Sequence, residues 1–270
     1  MISKKDDEFV DSKGLGEKFK SLKNVKFLGD IKVDQFSKDR LTVYRYMRYA
    51  RAKDIIESKE ISFTDPRTWE DPFEKRFACG DYKSLGFSPK ELACMCVTTE
   101  HGENEAAFWR MFDPDGKHDL VQLTLDFSIL LKALNDFAKK NNATVYVKSC
   151  NYEFTSEDLK SSGKGSFLKE GKKFDEEDFI ELMSLKRRAF ASEKELRFFI
   201  YGENLPFVGN FLSIPYKGRL VKEMKVCPKP DFTAFVSSED LIKIALKEHF
   251  KELNITQSRL YDSVSHFKSK

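Results

Sequence analysis

The chain has 270 residues, 40% hydrophobic and 34% charged, which gives it enough apolar surface for a core and a heavily charged exterior; two independent domains are not expected at this length. Its net charge of only +3, from 47 basic against 44 acidic residues, excludes nucleic-acid binding driven mainly by bulk charge and leaves only a local basic patch open. Nowhere do about 18 apolar residues run together, and the opening MISKKDDEFVDSKG lacks the apolar run of a signal peptide, so a cytoplasmic protein without a membrane span is expected.

Residues 1–40 are charged and weakly periodic and read as an N-terminal arm whose Phe19, Phe27 and Phe36 pack on a body formed by residues 41–270. LTVYRYM, from Leu41, alternates as a strand, and Tyr49 to Glu57 follow with helical spacing. The strand EISF then meets Asp65-Pro66 and Asp71-Pro72; a residue before Pro is pushed out of the α region, so this stretch is expected as a pinned, irregular turn. Ala93 to Thr99 reads as a buried strand, and Asn104 to Phe112 as a short helix with Phe108, Met111 and Phe112 on one face. Val121 to Phe127 alternates as a half-buried strand, with Ser128 as the expected cap of a helix striped by Leu130, Leu134, Phe137 and Ala138. A strand over Thr144 to Tyr152, a polar segment over 155–174 and a helix striped by Phe179, Leu182, Met183 and Phe190 lead into the strand ELRFFIY. Shorter strands near Phe211 to Tyr216 and Val221 to Cys227, a helix from Ser238 to Leu253 and a closing strand ITQSRLY complete the order. Strands and helices do not alternate regularly enough for a doubly wound parallel sheet, and the expected class is mixed α+β.

Several familiar chemistries find no support. Gly163-Lys164-Gly165-Ser166 lacks the P-loop spacing, and no GxGxxG follows a strand. His101, His118, His249 and His266 are scattered, which argues against a zinc hydrolase or a serine triad; His249 reads as a core residue. Cys79, Cys94, Cys96, Cys150 and Cys227 form no CxxC pair and are expected as buried free thiols, and no metal site is expected. With two Trp against 25 Phe, most rings are assigned to packing.

Four motifs carry candidate chemistry. In Tyr44-Arg45-Tyr46, strand alternation points Arg45 away from both tyrosines, where its guanidinium serves either a surface salt bridge or a clamp for a diphosphate or ribose. The segment FTDPRTWEDPFE, Phe63 to Glu74, has the fixed backbone and outward polar groups of a ligand-lining loop; Asp65 and Asp71 read as caps or turn formers, and Glu74 is its notable carboxylate. Thr98 ends a buried strand, where it braces a substrate hydroxyl or bonds a backbone carbonyl, and Trp109 either stacks on a planar ring or packs in the core. On a strand starting near Glu193, Glu193, Glu195 and Arg197 share one face about 7 Å apart per step, as a charged functional cluster or as a salt-bridge ladder. The basic stretches Lys160 to Lys173 and Lys186 to Arg188 read as solvated faces, with contact to phosphates as the alternative.

In this order the motifs resemble a large, mostly bacterial family, domain of unknown function 2971, from about residue 41 to 262. The DPFE box at Asp71 to Glu74 and the ExExxR-like run at Glu193 to Arg197 are its most specific parts, with Ser258-Arg259-Leu260-Tyr261 at the end. Phe190 stands where that family has Trp, Phe112 where Tyr is common, and the Gly before the Leu120 strand is missing. The motif order also resembles the Arg, Ser/Thr, Glu-x-Glu order of ADP-ribosyltransferases. That resemblance implies a split β core with flanking helices and NAD as substrate. It places Arg45, Tyr46, Thr98, Trp109, Glu74 and Arg197 around the dinucleotide, with Glu195 on the ribose hydroxyl and Glu193 orienting the acceptor or bracing Glu195. The implied acceptor is a macromolecule, protein or nucleic acid, as for a toxin or phage-defence effector, with an antitoxin or inhibitor protein as a further partner. A non-catalytic nucleic-acid- or protein-binding module on the same fold is the alternative, and a metal-independent nuclease lacks an evident acid–base pair.

Overall fold

The computed structural model describes residues 12–29, 31, 34–37, 40–99, 105–112, 119–153, 173–227 and 253–258. Its elements in chain order are α1 (Ser12–Lys18), β1 (Val25–Leu28), β2 (Asp34–Ser37), β3 (Arg40–Arg48), α2 (Tyr49–Ser58), β4 (Glu60–Thr64), α3 (Pro72–Ala78), β5 (Glu91–Thr98), α4 (Glu105–Phe112) and β6 (Leu120–Asp126). There follow α5 (Phe127–Lys140), β7 (Thr144–Ser149), α6 (Glu176–Met183), β8 (Glu195–Gly202), β9 (Phe211–Pro215), β10 (Val221–Val226) and β11 (Asn254–Gln257). Short 3-10 turns sit at Pro66–Thr68, Lys83–Leu85 and Arg188–Glu193. Five expectations fall wholly or partly outside the described residues: the polar segment before Lys173, the helix over residues 238–252, all four histidines, the side chain of Phe36, and the closing strand and motif beyond Ser258.

The fold is mixed α+β on one large sheet. Strands run in the order β1-β7-β8-β5-β3-β6-β10-β11, parallel at β1/β7 and β10/β11 and antiparallel elsewhere, with β2 beside β3 and β9 beside β4. The feature that matters for function lies at β5. One side of β5 pairs with β8 over eight residues, Glu91 to Thr98. Its other side forks, holding β3 at Tyr44↔Thr98 and β4 at Thr64↔Cys94. Past those two pairs β3 and β4 diverge into separate limbs, β3-β6-β10-β11 and β4-β9.

Alternation along the central strands sorts their side chains between two faces. Leu196, Phe198 and Ile200 of β8 and Ala93, Met95 and Val97 of β5 join the main core, closed by Ile55 and Ile56 of α2 and Leu130, Leu131 and Leu134 of α5. On the opposite face Phe199, Tyr201 and Cys94 meet Phe179, Ile180 and Leu182 of α6. A smaller cluster, Tyr46, Phe108, Trp109 and Leu120, lies under α4 on that second face. Phe19 and Phe27 pack against the main core, and the 25–28 part of the segment read as an arm is an edge strand of the sheet, parallel to β7.

Local chemistry explains the differences from the sequence reading. Asp65 and Asp71 each cap a helical turn with Pro at its start, accepting the Arg67 and Phe73 N–H groups at 2.9 and 2.8 Å, so the expected irregular turn contains a helix. Asp126, not Ser128, caps α5 by accepting the Ile129 N–H, because a carboxylate also complements the helix N-terminus. Gln122 and Thr124 are buried at 0% and 6%, so the strand read as half-buried is covered on both faces. Helix α6 ends at Met183, and Phe190 lies in the following 3-10 turn, half-buried. Only Cys94 and Cys150 are buried; Cys79 is exposed.

The close approach of Ala143 to the end of β8 gives a stability prediction. A Cβ at Gly202 would stand 2.9 Å from the Ala143 Cβ and 3.3 Å from Leu205, so Gly202→Ala is expected to cost about 1–3 kcal/mol by overpacking. Urea denaturation measures it, and an unchanged midpoint would mean that the Ala143 loop yields.

Candidate active site

The fork opens a cleft of about 670 Å³, mouth included, within the range of small-ligand sites. Its floor follows from strand register. Thr124, Tyr44, Thr98 and Glu195 are successive cross-strand partners on β6, β3, β5 and β8, so their side chains leave the sheet in one row on the second face. Tyr44, Thr98 and Glu195 line the cleft with Arg45, Tyr46, Cys94 and Cys96; Phe108, Met111 and Phe112 of α4 form one wall and Glu193 the other.

Arg45 reaches the cleft against the expectation from alternation. The sheet is open beside it, and its Nη1 donates to the Ser62 carbonyl on β4 at 3.3 Å, so the side chain crosses the gap between the two limbs. Among the described residues no carboxylate pairs with it. Burial, which the neighbouring Cys96 and Cys94 thiols offset only in part, lowers the half-buried guanidinium to about 10, still charged at neutral pH.

Glu195 has the opposite surroundings. Its Oε1 accepts from Arg197 Nε at 2.6 Å and its Oε2 from Lys186 Nζ, which also pairs with Glu193. Arg197 donates further to Glu74 and, at 2.6 Å, to the Met183 carbonyl, and its guanidinium lies 4.5 Å from the Trp69 ring centre. The Tyr152 hydroxyl accepts the Glu195 N–H at 3.0 Å. Burial alone would raise the Glu195 carboxyl, but the Arg197 guanidinium and Lys186 ammonium outweigh it and hold the group well below the usual carboxylate range. Glu193 goes the other way: burial raises it, and the Lys186 ammonium only partly offsets that.

Three carboxylates, Glu74, Glu193 and Glu195, thus share two cations, Lys186 and Arg197. One negative charge is left over, and Glu195 and Glu193 present it to the cleft across from Arg45. A pH prediction follows. Because the Glu195 pKa is depressed on folding, its stabilisation is complete above its ordinary value of 4.5 and is lost as pH falls below it. Glu193, raised on folding, contributes with the opposite sign and softens the loss. Circular dichroism between pH 7 and 2 is expected to show destabilisation beginning below about pH 5, and a fold insensitive to acid there would contradict the coupling.

The expected site residues separate into two groups. Arg45, Tyr46, Thr98, Glu193 and Glu195 line the cleft. Glu74 and Arg197 stand behind it, buried at 8% and 1%, where they hold Glu195. Trp109 is buried at 5% with its ring edge-on to Tyr46 at 4.8 Å; it supports the wall and does not line the cleft. The ladder expected from Glu193 begins two residues later. Glu193 closes a 3-10 turn, Lys194 takes a left-handed φ of 43°, and the strand starts at Glu195. Lys186, read as part of a solvated face, is 8% exposed between two carboxylates; the acidic residues seven and nine positions on were the available signal. The role of Trp69 over Arg197 left no mark in the sequence.

Among the described residues no helix is long and apolar enough to cross a membrane, and no His, Cys, Asp and Glu side chains form a metal-holding group. No family model matches the chain, and no curated protein does, so the likeness to domain of unknown function 2971 stays one of motifs. Two solved structures of DarT from Thermus sp. 2.9 are similar at a low level. The complex with NAD+ is 11% identical, covering 81% of this chain and 95% of that one, with a TM-score of 0.33. The complex with ADP-ribosylated ssDNA is 10% identical, covering 81% and 94%, with a TM-score of 0.32. Likeness at this level assigns no activity.

Proposed function

We propose that the chain is an NAD-dependent ADP-ribosyltransferase acting on a macromolecular acceptor. The observation that carries this reading is the charge pattern of the cleft: a guanidinium with no acidic partner among the described residues on one side and an excess carboxylate charge on the other. NAD has the complementary pattern, an anionic diphosphate and a cationic pyridinium ribose. Arg45 takes the diphosphate, Thr98 braces the ribose, and Glu195 lies beneath the sugar carbon that turns cationic as the glycosidic bond breaks. The bonding pair leaves on the nicotinamide nitrogen, the acceptor nucleophile attacks the same carbon, and its proton passes to Glu193, the carboxylate that burial makes more basic.

Arg45→Met tests the assignment. The guanidinium is half-buried and leaves no carboxylate unpaired when removed, so the variant is expected to keep its stability to within about 1 kcal/mol while losing NAD binding by calorimetry. Wild-type affinity in the variant would remove Arg45 from the site.

A non-catalytic binding module is favoured by one observation: both Glu195 oxygens already accept from a cation. The Cys96 thiol also bonds the Glu195 carboxylate, which leaves less of its four lone pairs for a ligand. Absence of nicotinamide release with retained ligand binding would decide for the module.

A further inference from the structure

Glu193 and Glu195 stand too close together to carry two charges unaided. Both carboxylates bond the same nitrogen, Lys186 Nζ, which puts those two oxygens no more than about 6 Å apart. Lys186 is 8% exposed and its ammonium lies 5.2 Å from the Phe190 ring centre, so water screens the pair poorly. Among the described residues Lys186 is the one cation that Glu193 touches. Arg197 of β8 is occupied by Glu195, the Met183 carbonyl and Glu74 of α3. Arg187 is held by Asp71 at 2.8 Å, and Arg45 of β3 reaches toward Ser62 on the far side of the fork. From β5 the Cys96 thiol bonds Glu195, and after β7 burial pushes the Cys150 thiol and the Tyr152 hydroxyl up, so both are neutral. Helix α4 lines the cleft with apolar side chains only. Burial alone would lower the Lys186 ammonium, but Glu195 and Glu193 outweigh it and keep it charged.

We infer that Lys186 is a positioning residue for the transfer: by bonding both carboxylates it lets Glu195 stand charged beneath the sugar while Glu193, beside it, stays open to the acceptor's proton. The inference rests on the transferase reading for the chemistry, but the sharing of one ammonium stands on the contacts alone. Without that ammonium, Arg197 still holds Glu195 as a carboxylate, and Glu193 faces the Glu195 charge with no cation of its own. Two like charges at that distance keep a proton between them. The proton settles on Glu193, and a carboxyl that already carries one cannot take another from the nucleophile as it bonds to the sugar carbon. The same exchange reaches the fold, because in a chain lacking Lys186 a proton on Glu193 stands in for the lost ammonium.

The test compares full chains of wild type, Lys186→Met, Lys186→Arg and the double variant Lys186→Met/Glu193→Gln, by nicotinamide release from NAD between pH 5 and 9 and by urea midpoints at pH 6 and 8. In Lys186→Met the acid limb of the rate profile is expected to move up by about 1–3 pH units, the effect of losing a close opposite charge. Lys186→Arg keeps the charge and is expected to hold the limb where wild type has it. A lysine that only props the fold would lower the rate equally at every pH, and that result overturns the inference. The folding readout needs no NAD. In Lys186→Met the folded pKa of Glu193 stands above its unfolded value, so its stabilisation is present at low pH and lost as pH rises. Relative to wild type, the Lys186→Met midpoint is therefore expected to gain on going from pH 8 to pH 6, and the gain to disappear in the double variant, which removes the carboxylate with the ammonium. Equal gains in Lys186→Met and the double variant overturn the inference. Nicotinamide release with a Lys186→Met profile placed like that of wild type sinks this inference and spares the transferase. Intact NAD in every chain together with the expected folding pattern supports the shared ammonium and sinks the transferase.

Discussion

Replacing Arg197 by Ala is expected to destabilise the fold by about 3–5 kcal/mol, the range for breaking a buried ion pair by removing one partner. Arg197 is 1% exposed, and its three nitrogens go to Glu195, the Met183 carbonyl and Glu74. Without it three buried or half-buried carboxylates keep one ammonium between them, and α3 loses its Glu74 tie to β8. Arg197→Lys restores the charge but cannot span three acceptors with a planar fork, so an intermediate loss is expected. Urea denaturation measures both, and equal midpoints for wild type and Arg197→Ala would show that the cluster contributes nothing net.

Glu195→Gln is expected to separate chemistry from stability. The substitution removes the excess negative charge but leaves each cation a carboxylate, Glu193 for Lys186 and Glu74 for Arg197. Its stability cost should therefore be smaller than that of Arg197→Ala, about 1–3 kcal/mol. Nicotinamide release should fall by about 10²–10³-fold, the effect of removing one fixed electrostatic partner of a developing charge. A folded variant with wild-type turnover would deny Glu195 its role.

What the sequence showed plainly was the alternation of β3 and the existence of the apolar strands β5 and β8, because runs of Leu, Val, Phe and Ile report buried strand faces directly. The row Tyr44, Thr98, Glu195 was legible only as separate motifs. Strand order and register across three distant segments are set by long-range pairing that no local pattern encodes. Arg45 shows the same limit, since alternation turns it away from the tyrosines and only the fork lets it return. Lys186 was misread because a KRR run is usually solvated; its burial depends on two glutamates brought over it by the 3-10 turn. Asp65 and Asp71 were legible as caps because the Asp-Pro signal is wholly local.

The central claim is that the fork holds NAD between a lone guanidinium and a surplus carboxylate charge and breaks its nicotinamide bond there. Free nicotinamide, quantified after incubating the full chain with NAD and mixed protein and nucleic-acid acceptors, tests it most directly. Release by wild type in step with an ADP-ribosyl mark on an acceptor, lost in the folded Arg45→Met variant, is the predicted result. NAD left intact in every acceptor mixture, or equal release by Arg45→Met, would contradict it.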